Sequence, residues 1–266
     1  MALGFFKKLI NPLIIKLGKK KEKRNFSDTP IMIGGCGRSG TTLLLSIIGA
    51  HPNIFSFPTE VGTFLEWHDS LSLTSSKQDE KVPRLDRFYR ALLKNKISEE
   101  TTRWCEKTPG HVRHFGEILD YFNEDIKLIH IVRDCRDVTL SRHPSKPDEY
   151  WVSPARWIND VKAGLEYQDH PQVLTIKYEN LILNYNETIE EICDFINEEC
   201  TEELYSYLEH TNVKDNNAWY NGAQKLHSKS VEKWKKDKNK ARVAEVMENA
   251  EVVELLKKLN YPIEEV

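Results

Sequence analysis

Three short apolar segments along the chain have the character of buried strands. Residues 31–33 (IMI) lead directly into Gly34 and Gly35. Residues 127–132 (KLIHIV) and 172–178 (QVLTIKY) are similarly apolar and contain several β-branched side chains. Apolar runs of about four to eight residues are typical of strands that are covered on both faces of a sheet. We therefore expect these three segments to lie in one buried sheet.

The segments between and after these strands have helical spacing. In residues 187–197, Ile189, Ile192 and Ile196 recur at i, i+3 and i+7, so they share one face of a helix. Strands that alternate with helices predict an α/β fold in three layers, with a mostly parallel central sheet flanked by helices. The segments that we predict to be helical are residues 42–50, 134–141, 155–167, 187–197 and 241–259.

The first 26 residues differ in character from the rest of the chain. Their apolar residues are interrupted by Lys7, Lys8 and Lys16, and a basic cluster follows at residues 19–24. Because a spanning helix needs about 20 consecutive apolar residues, this segment is too polar to cross a membrane. We interpret residues 1–26 as a basic amphipathic segment. It either makes peripheral contact with an anionic membrane surface or packs on the domain.

The remaining residues, 27–266, are predicted to form a single domain. No internal repeat or low-complexity segment interrupts them. Within them, residues 65–104 are polar, rich in charge and only weakly periodic. We expect this stretch to be a helical insertion over the edge of the sheet, where selectivity for a substrate could be built.

The composition argues against several classes of protein. A net charge of −3, from 38 basic and 41 acidic residues, does not provide the basic surface of a nucleic-acid-binding protein. The five cysteines form no C-x-x-C pair, which favours a reduced, cytoplasmic protein. Because His, Cys and carboxylate residues do not cluster at ligand spacing, we expect no metal ion.

A glycine-rich loop follows the first predicted strand and precedes the first predicted helix of the domain. Glycines let successive backbone N–H groups point at one anion, and a helix N-terminus adds further unpaired donors. The loop therefore predicts an anion cradle and makes the fold P-loop-type. Its candidate binding residues are Gly37, Arg38, Ser39, Gly40, Thr41 and Thr42.

The loop departs from the one that binds nucleoside triphosphates. Gly35 and Gly40 have the G-x-x-x-x-G spacing and Thr42 fits the final hydroxyl position, but Thr41 occupies the lysine position. That lysine normally contacts the β and γ phosphates. A P-loop nucleotide kinase or NTPase without the loop lysine is therefore the second hypothesis, and a binding module on a membrane surface is the third.

A second candidate anion site follows the strand at residues 127–132. Arg133 lies where this strand ends, and ligands of doubly wound sheets bind beyond the carboxyl ends of the strands. Ser141 comes eight residues later, a little over two helical turns, so a helix over residues 134–141 would bring it near the same place. An arginine fork and a hydroxyl are suitable for a phosphate. The alternative is that Arg133 pairs with Asp137 in a solvated salt bridge.

The two motifs together resemble those of the sulfotransferase family that uses 3′-phosphoadenosine 5′-phosphosulfate (PAPS). The closest similarity is to its tyrosylprotein and carbohydrate sulfotransferase-like branch. The motifs are R-S-G-T-T-L at residues 38–43 and V-R-D-x-R-D at residues 132–137, with a serine eight residues after the first arginine. The resemblance covers residues 31–236. It implies that the loop binds the 5′-phosphosulfate and that Arg133 and Ser141 bind the 3′-phosphate.

Further similarities to this family involve four residues outside the two motifs. Glu60 follows A-H-P-N, as in the acidic loop of tyrosylprotein sulfotransferases, although one residue out of register when counted from Arg38. Lys107 lies in an E-K-T-P turn, Tyr178 in a Y-E-x-L strand end, and Lys233 in a late lysine–tryptophan pair. The resemblance implies that Tyr178 and Lys233 contact the cofactor.

The implied reaction is sulfuryl transfer from PAPS to a hydroxyl or amine of an acceptor. We expect Glu60 to act as general base on the acceptor, and Lys107 and Arg38 to stabilise charge on the leaving side. The acceptor is a protein tyrosine, a carbohydrate, a glycolipid or a small molecule.

Overall fold

The computed structural model describes residues 2–65, 67–69, 81–143, 145–213 and 226–263. Residues 66 and 70–80, which belong to the predicted helical insertion, lie outside this part of the chain. All residues proposed above for the two anion sites are described.

Five parallel strands form the central sheet in the order β2-β5-β1-β6-β9. Ile33 of β1 lies opposite Lys107 on one neighbouring strand and Ile129 on the other. Because the strands are parallel, their carboxyl ends share one edge. The strands of the described residues are β1 Ile31–Gly35, β2 Ile54–Ser56, β3 Trp67–Asp69, β4 Lys81–Pro83, β5 Arg103–Lys107, β6 Lys127–Val132, β7 Arg142–His143, β8 Lys146–Tyr150 and β9 Val173–Lys177.

Helices connect the strands and cover both faces of the sheet. Short 3₁₀ turns at Pro109–His114, Ser228–Ser230, Lys233–Lys235 and Asp237–Asn239 add to them. The α-helices of the described part are α1 Ala2–Asn25, α2 Thr41–Ile48, α3 Leu85–Lys94, α4 Phe115–Phe122, α5 Cys135–Val138, α6 Pro154–Leu165, α7 Tyr178–Leu183, α8 Tyr185–Ile196, α9 Glu202–Tyr205, α10 Tyr207–His210, α11 Lys240–Met247 and α12 Ala250–Lys258.

Alternate side chains of the central strand enter two separate apolar cores. Ile31 and Ile33 belong to a core that α2 and α8 cover, whereas Met32 between them belongs to a core that α3 and α4 cover. This alternation is the two-residue period of a strand, and burial on both faces explains why β1 is uniformly apolar. The predicted fold class is confirmed: a parallel sheet is flanked by helices on both faces.

The predicted strands correspond to β1, β6 and β9, but the pattern did not reveal β5. Its sequence, RWCEK, contains three charged residues, yet all five residues are buried. Each charged side chain has a specific partner, as the Arg103 guanidinium shows by donating to the Ile196 carbonyl oxygen at 2.6 Å. Buried charge is tolerated when it is paired, and such pairing cannot be seen in a hydrophobicity pattern.

Two predicted helices have different limits in the structure. Residues 241–259 form two helices, because the Asn249 side chain accepts from the N–H groups of Glu251 and Val252 and begins α12 anew. The helix expected over residues 134–141 is only α5, which ends at Val138. The hydroxyl of Thr139 donates back to the Cys135 carbonyl oxygen at 2.8 Å, and the chain turns out of the helix there.

The region predicted as a helical insertion, residues 65–104, is only partly helical where it is described. It contains the antiparallel pair β3–β4 and the helix α3, and its last two residues, Arg103 and Trp104, begin the central strand β5. The Trp104 ring is buried against Phe57 and Phe88. Because of this aromatic packing, the end of the stretch belongs to the sheet and not to a peripheral insertion.

The basic N-terminal segment forms α1, which packs against α3. The Lys21 ammonium donates to the carbonyl oxygens of Leu92 and Asn95, at 3.0 and 2.6 Å, where α3 ends. Among the described helices, none combines the length and apolar character that crossing a membrane requires.

Candidate active site

The glycine-rich loop connects the end of β1 to the start of α2. Gly40 has a φ of 96°, and a Cβ atom at this position would lie 2.4 Å from Cδ2 of Tyr178. Any other residue would therefore be strained in its backbone and would collide with the tyrosine ring. Thr41 and Thr42 begin α2 and are buried, so the loop brings their N–H groups and hydroxyls to the carboxyl edge of the sheet.

Arg38 occupies the left-handed region of backbone space, with a φ of 72°. A non-glycine residue adopts this conformation only where its surroundings require it, at a cost of about 1–2 kcal/mol. The surroundings are visible here. The Arg38 carbonyl oxygen accepts from Nη1 of Arg133 at 3.0 Å. The Arg38 guanidinium lies 5.2 Å from the ring centroid of Trp151.

Arg133 connects the loop to a distant part of the chain. Its Nη2 donates to the Ser230 carbonyl oxygen at 2.5 Å, and its guanidinium lies 4.2 Å from the ring centroid of Tyr178. The Tyr178 hydroxyl is in turn 2.5 Å from the Ser230 hydroxyl. Residues that follow β1, β6 and β9 therefore meet Ser230 of the C-terminal region at one point. The two predicted anion sites are adjacent.

The alternative pairing of Arg133 with Asp137 exists, but it is not a solvated bridge. Nη2 of Arg133 lies 3.8 Å from Oδ2 of Asp137, and both side chains are buried. Burial raises the pKa of Asp137, while Arg133 and Lys233 oppose this rise. Asp137 also accepts from the Trp234 N–H at 3.0 Å. The carboxylate thus anchors the turn that carries Lys233.

Lys233 lies beside the same group of cations. Burial, together with the neighbouring charges of Arg133 and Arg38, lowers its pKa to about 8, although Asp137 acts in the opposite direction. Lys233 and Arg133 thus lie close together near the buried carboxylate of Asp137 at the edge of the sheet. An anion bound beside them would favour the charged form of Lys233.

Buried polar atoms at this site lack hydrogen-bond partners within the described residues. They include two donors, the hydroxyl of Ser39, whose side chain is completely buried, and Nε of Arg133, and one acceptor, Oδ2 of Asp137. Since buried donors are nearly always paired, their orientation is explained if a ligand accepts from them.

Ser141 lies beyond the end of the helix that was expected to carry it. The short α5 does not extend to it, and its side chain is buried without a described bond to Arg133. Its carbonyl oxygen accepts from the Trp151 N–H at 2.9 Å, and the Trp151 ring lies under the Arg38 guanidinium. Trp151 therefore contacts both Ser141 and the Arg38 guanidinium.

Sequence reasoning did not identify the residues that hold the turn after β6 in place. Arg136 is completely buried, pairs with Asp134 at 2.7 Å and lies 3.6 Å from the ring centroid of Trp234. The Asp134 N–H donates to Glu179 at 3.1 Å. The first acid and the second arginine of the V-R-D-x-R-D motif, Asp134 and Arg136, thus stabilise the scaffold. The motif itself was the available signal.

Glu60 and Lys107 form an ion pair at the end of β5. Nζ of Lys107 donates to Oε1 of Glu60 at 2.6 Å. Only 1% of the lysine side chain is exposed, compared with 48% of the glutamate side chain. The pair therefore links a buried ammonium beside β1 to a carboxylate that solvent and a substrate can reach.

A buried cluster around Glu106 fixes the loop that carries Glu60. The Glu106 carboxylate accepts from the Val61 N–H at 3.0 Å and from the Thr108 hydroxyl at 2.6 Å. Nδ1 of His111 lies 3.1 Å from its other oxygen, and Nε2 of His111 accepts from the Phe64 N–H at 3.3 Å. Because Nε2 is an acceptor, the proton of a neutral His111 is on Nδ1 and points at Glu106.

This cluster keeps Glu106 ionised despite its burial. Burial raises the pKa of Glu106, but His111 and the bonds from Thr108 and Val61 outweigh it and hold the pKa below its ordinary value. Sequence reasoning assigned no role to Glu106 or His111. The E-K-T-P run and the histidine two residues beyond it were the available signal.

The arrangement can bind a ligand with two anionic groups and place it beside a carboxylate–lysine pair. Comparison with known proteins agrees with this chemistry. A model of the sulfotransferase family matches residues 30–203, which is more than half of the chain. The chain belongs to the sulfotransferase family, and the prediction of a sulfotransferase is confirmed at that level.

Two relatives are similar over much of the chain. A candidate protein-tyrosine sulfotransferase of Caenorhabditis briggsae is 26% identical over 199 residues, which cover 67% of this chain and 69% of that protein. An uncharacterized protein of Aquifex aeolicus is 24% identical over 237 residues, or 79% of this chain. The chain spans only 31% of the length of the Aquifex protein.

Solved structures share the fold. The sulfotransferase domain from the curacin biosynthetic pathway superimposes with a TM-score of 0.64 at 16% identity, covering 90% of this chain and 100% of that domain. The sulfotransferase domain of the Synechococcus PCC 7002 olefin synthase gives 0.64 at 18% identity, with 90% and 97% covered.

Replacing Glu106 with Gln should lower the free energy of unfolding by about 2–4 kcal/mol. The amide places a donor among the three donors that now point at the carboxylate, and His111 loses its charged partner. Denaturant unfolding followed by circular dichroism measures the loss. Glu99→Gln, at an exposed position, is the matched control. Equal stabilities of the two variants would contradict the role of the cluster.

Proposed function

We propose that this chain transfers a sulfuryl group from PAPS to a hydroxyl or amine of an acceptor. One observation carries the proposal: Nη1 of Arg133 lies 3.0 Å from the Arg38 carbonyl oxygen. The cation expected at the 3′-phosphate is thus next to the loop expected at the 5′-phosphosulfate. A nucleotide with one anionic group at each end suits this pair of sites.

The residues present fit PAPS. The glycine-rich loop offers the buried, unpartnered Ser39 hydroxyl and the start of α2 to one anionic group, with Gly37, Gly40, Thr41 and Thr42 around it. Arg133 and Lys233 offer cations to the other group, with Tyr178 beside them and Ser141 adjoining through Trp151. When bound, PAPS supplies an activated sulfuryl group whose bond to the nucleotide oxygen breaks as the acceptor forms a new bond to sulfur.

At the reacting end, Glu60 takes the proton of the acceptor. Its half-exposed carboxylate is held in place by Lys107, and a positioned carboxylate next to the acceptor site is what general base catalysis requires. We assign Lys107 and Arg38 to stabilise negative charge on the leaving side, because both are cations, one at the end of β5 and one in the glycine-rich loop.

The acceptor belongs to one of four groups: a protein tyrosine, a carbohydrate, a glycolipid or a small molecule. The description of the Caenorhabditis relative supports a tyrosine. We also propose a reducing, cytoplasmic location, since each of the five cysteines is a free thiol.

A kinase or NTPase is the competing function. Thr41 is at the position of the phosphate-binding lysine and is a buried residue of the first turn of α2. The cations that we assign to the second anionic group are instead Arg133, which follows β6, and Lys233, which lies in the turn Lys233–Lys235. This distribution supports a bisphosphorylated nucleotide.

Arg133→Ala should weaken binding of adenosine 3′,5′-bisphosphate about 10- to 100-fold more than binding of adenosine 5′-phosphate. The reason is that a charged, forked donor to the 3′-phosphate is lost. Isothermal titration of each nucleotide and of ATP–Mg²⁺ provides the comparison, with Arg142→Ala as an exposed control. Equal weakening for both adenosine nucleotides contradicts the 3′ assignment, and preference of the wild type for ATP–Mg²⁺ contradicts the proposed function.

Glu60→Gln should lower turnover by about 10²–10⁴ while binding of adenosine 3′,5′-bisphosphate is unchanged. The amide oxygen still accepts from Lys107, so the buried ammonium keeps a partner and only the base is removed. Transfer of ³⁵S from labelled PAPS into material of a cell extract gives the rate, with Glu100→Gln as control. Unchanged turnover would remove Glu60 from this role.

Binding of adenosine 3′,5′-bisphosphate should weaken as the pH rises above about 8. Lys233, with its pKa lowered to about 8, is charged below that pH and neutral above it. A bound anion favours the charged form, so at higher pH binding must take up a proton and loses up to about tenfold per pH unit. Titrations between pH 7 and 9.5 measure this. Lys233→Arg stays charged and should flatten the profile, and an unchanged slope would contradict the assignment.

A further inference from the structure

The helix α1 presents two different faces. One face is fixed to the domain: Gly18 lies so close to Tyr89 that a Cβ atom would be 2.3 Å from that side chain. On the same face, Glu22 accepts from the Tyr89 hydroxyl at 2.8 Å and from Nε1 of Trp104 at 3.0 Å. Ile14 and Ile15 pack against the core beneath α3 and α4. The helix is therefore a rigid part of the domain surface.

The opposite face has no cover from the described residues and carries an apolar ridge. Ile10, Leu13 and Leu17 are spaced at i, i+3 and i+7, which places them on one side of the helix. Their side chains are exposed to 39%, 56% and 48%, respectively. Three large aliphatic side chains in one row on a fixed helix are more than isolated surface hydrophobic residues.

Cations surround this ridge. Between residues 10 and 24, the only acidic residue is Glu22, which faces the domain. The neighbouring helix α3 contributes the exposed Arg90, whose guanidinium donates to the Asn11 side chain at 3.0 Å, and the exposed Lys94. The exposed cations of α1 itself are Lys16, Lys19, Lys20, Lys23 and Arg24.

This local charge is opposite to that of the whole chain. The protein has a net charge of −3, so five exposed cations on one helix, with a single acidic residue between positions 10 and 24, are a local concentration of positive charge. An apolar ridge flanked by lysines is complementary to the interface of an anionic bilayer, where aliphatic side chains enter between the headgroups and ammonium groups remain at the phosphates.

We propose that the outer face of α1 docks the domain on an anionic membrane surface. The ridge of Ile10, Leu13 and Leu17 inserts at the interface, and the lysines contact the headgroups. Each basic residue near such a surface contributes the equivalent of about fivefold in binding. The proposal does not depend on the sulfotransferase reaction.

Docking through α1 leaves the candidate nucleotide site accessible. The helix lies at the β5 side of the sheet, where Glu22 contacts Trp104, whereas Tyr178 follows β9 at the opposite edge. α3 leads back to the loop of the candidate base, since the Arg84 N–H donates to the Thr63 carbonyl oxygen at 2.8 Å. The start of α3 is therefore joined to the loop that carries Glu60.

Cosedimentation with vesicles tests the proposal, using phosphatidylcholine alone and a 70:30 mixture with phosphatidylserine. We expect the full chain to bind the anionic vesicles, to bind the neutral ones at least about tenfold more weakly, and to be released by 0.5 M NaCl. Lys16→Glu with Lys20→Glu should reduce binding at least about tenfold, and Leu13→Ser with Leu17→Ser should also reduce it.

A matched control separates the charge on α1 from the total charge. Lys257→Glu with Lys258→Glu makes the same change at exposed positions of α12 and should bind as the wild type does. All variants should retain their affinity for adenosine 3′,5′-bisphosphate, which reports correct folding and tests the nucleotide site independently.

Three outcomes would overturn the proposal. The first is equal binding to neutral and anionic vesicles, and the second is that the α12 control loses as much vesicle binding as the α1 variant. The third is an absence of vesicle binding together with concentration-dependent dimerisation that Leu13→Ser with Leu17→Ser abolishes. The last result would assign the ridge to a second copy of the chain. If the wild type does not bind adenosine 3′,5′-bisphosphate, the proposed function is contradicted, but the vesicle result still holds.

Discussion

The candidate site depends on the contacts of the Arg133 guanidinium. It donates to the Arg38 carbonyl oxygen in the glycine-rich loop and to the Ser230 carbonyl oxygen in the C-terminal region, and it lies against the Tyr178 ring. Residues almost 200 positions apart are thus held within a few ångströms. The left-handed backbone of Arg38 is stable in this setting because its carbonyl oxygen points at a buried donor.

Around this contact, the protein keeps charges buried and arranges them in two groups. Arg133 and Lys233 lie near Asp137 in one group, and Lys107 pairs with Glu60 in the other. The first group adjoins the proposed nucleotide site, and the second contains the proposed general base. The division follows the sheet: Arg133 follows β6 and Lys233 lies in the C-terminal turn, whereas Lys107 ends β5 and Glu60 lies in the loop after β2.

The sequence predicted the parts of the fold that depend on a repeated pattern. The strands β1, β6 and β9 and the helices α2, α6 and α8 follow from apolar spacing, and the family followed from two motifs that are contiguous along the chain. It did not reveal β5, whose charged residues are buried in specific pairs, or the limits of α5 and α12, which depend on single side-chain bonds at Thr139 and Asn249.

What the sequence determined by itself is local: a strand, a glycine-rich turn and a helix start predict an anion cradle, because these residue types follow one another along the chain. Only the tertiary structure decided which distant residues complete it. The Ser230 carbonyl, the Asp137 carboxylate and the Glu106–His111 pair act through hydrogen bonds between segments with no regular spacing. Likewise, α1 looks amphipathic in sequence, but packing on Tyr89 decides which of its faces remains exposed. The periodicity of a segment reflects whether each of its faces is buried or exposed. Hydrogen bonds between distant residues depend on how the whole chain folds.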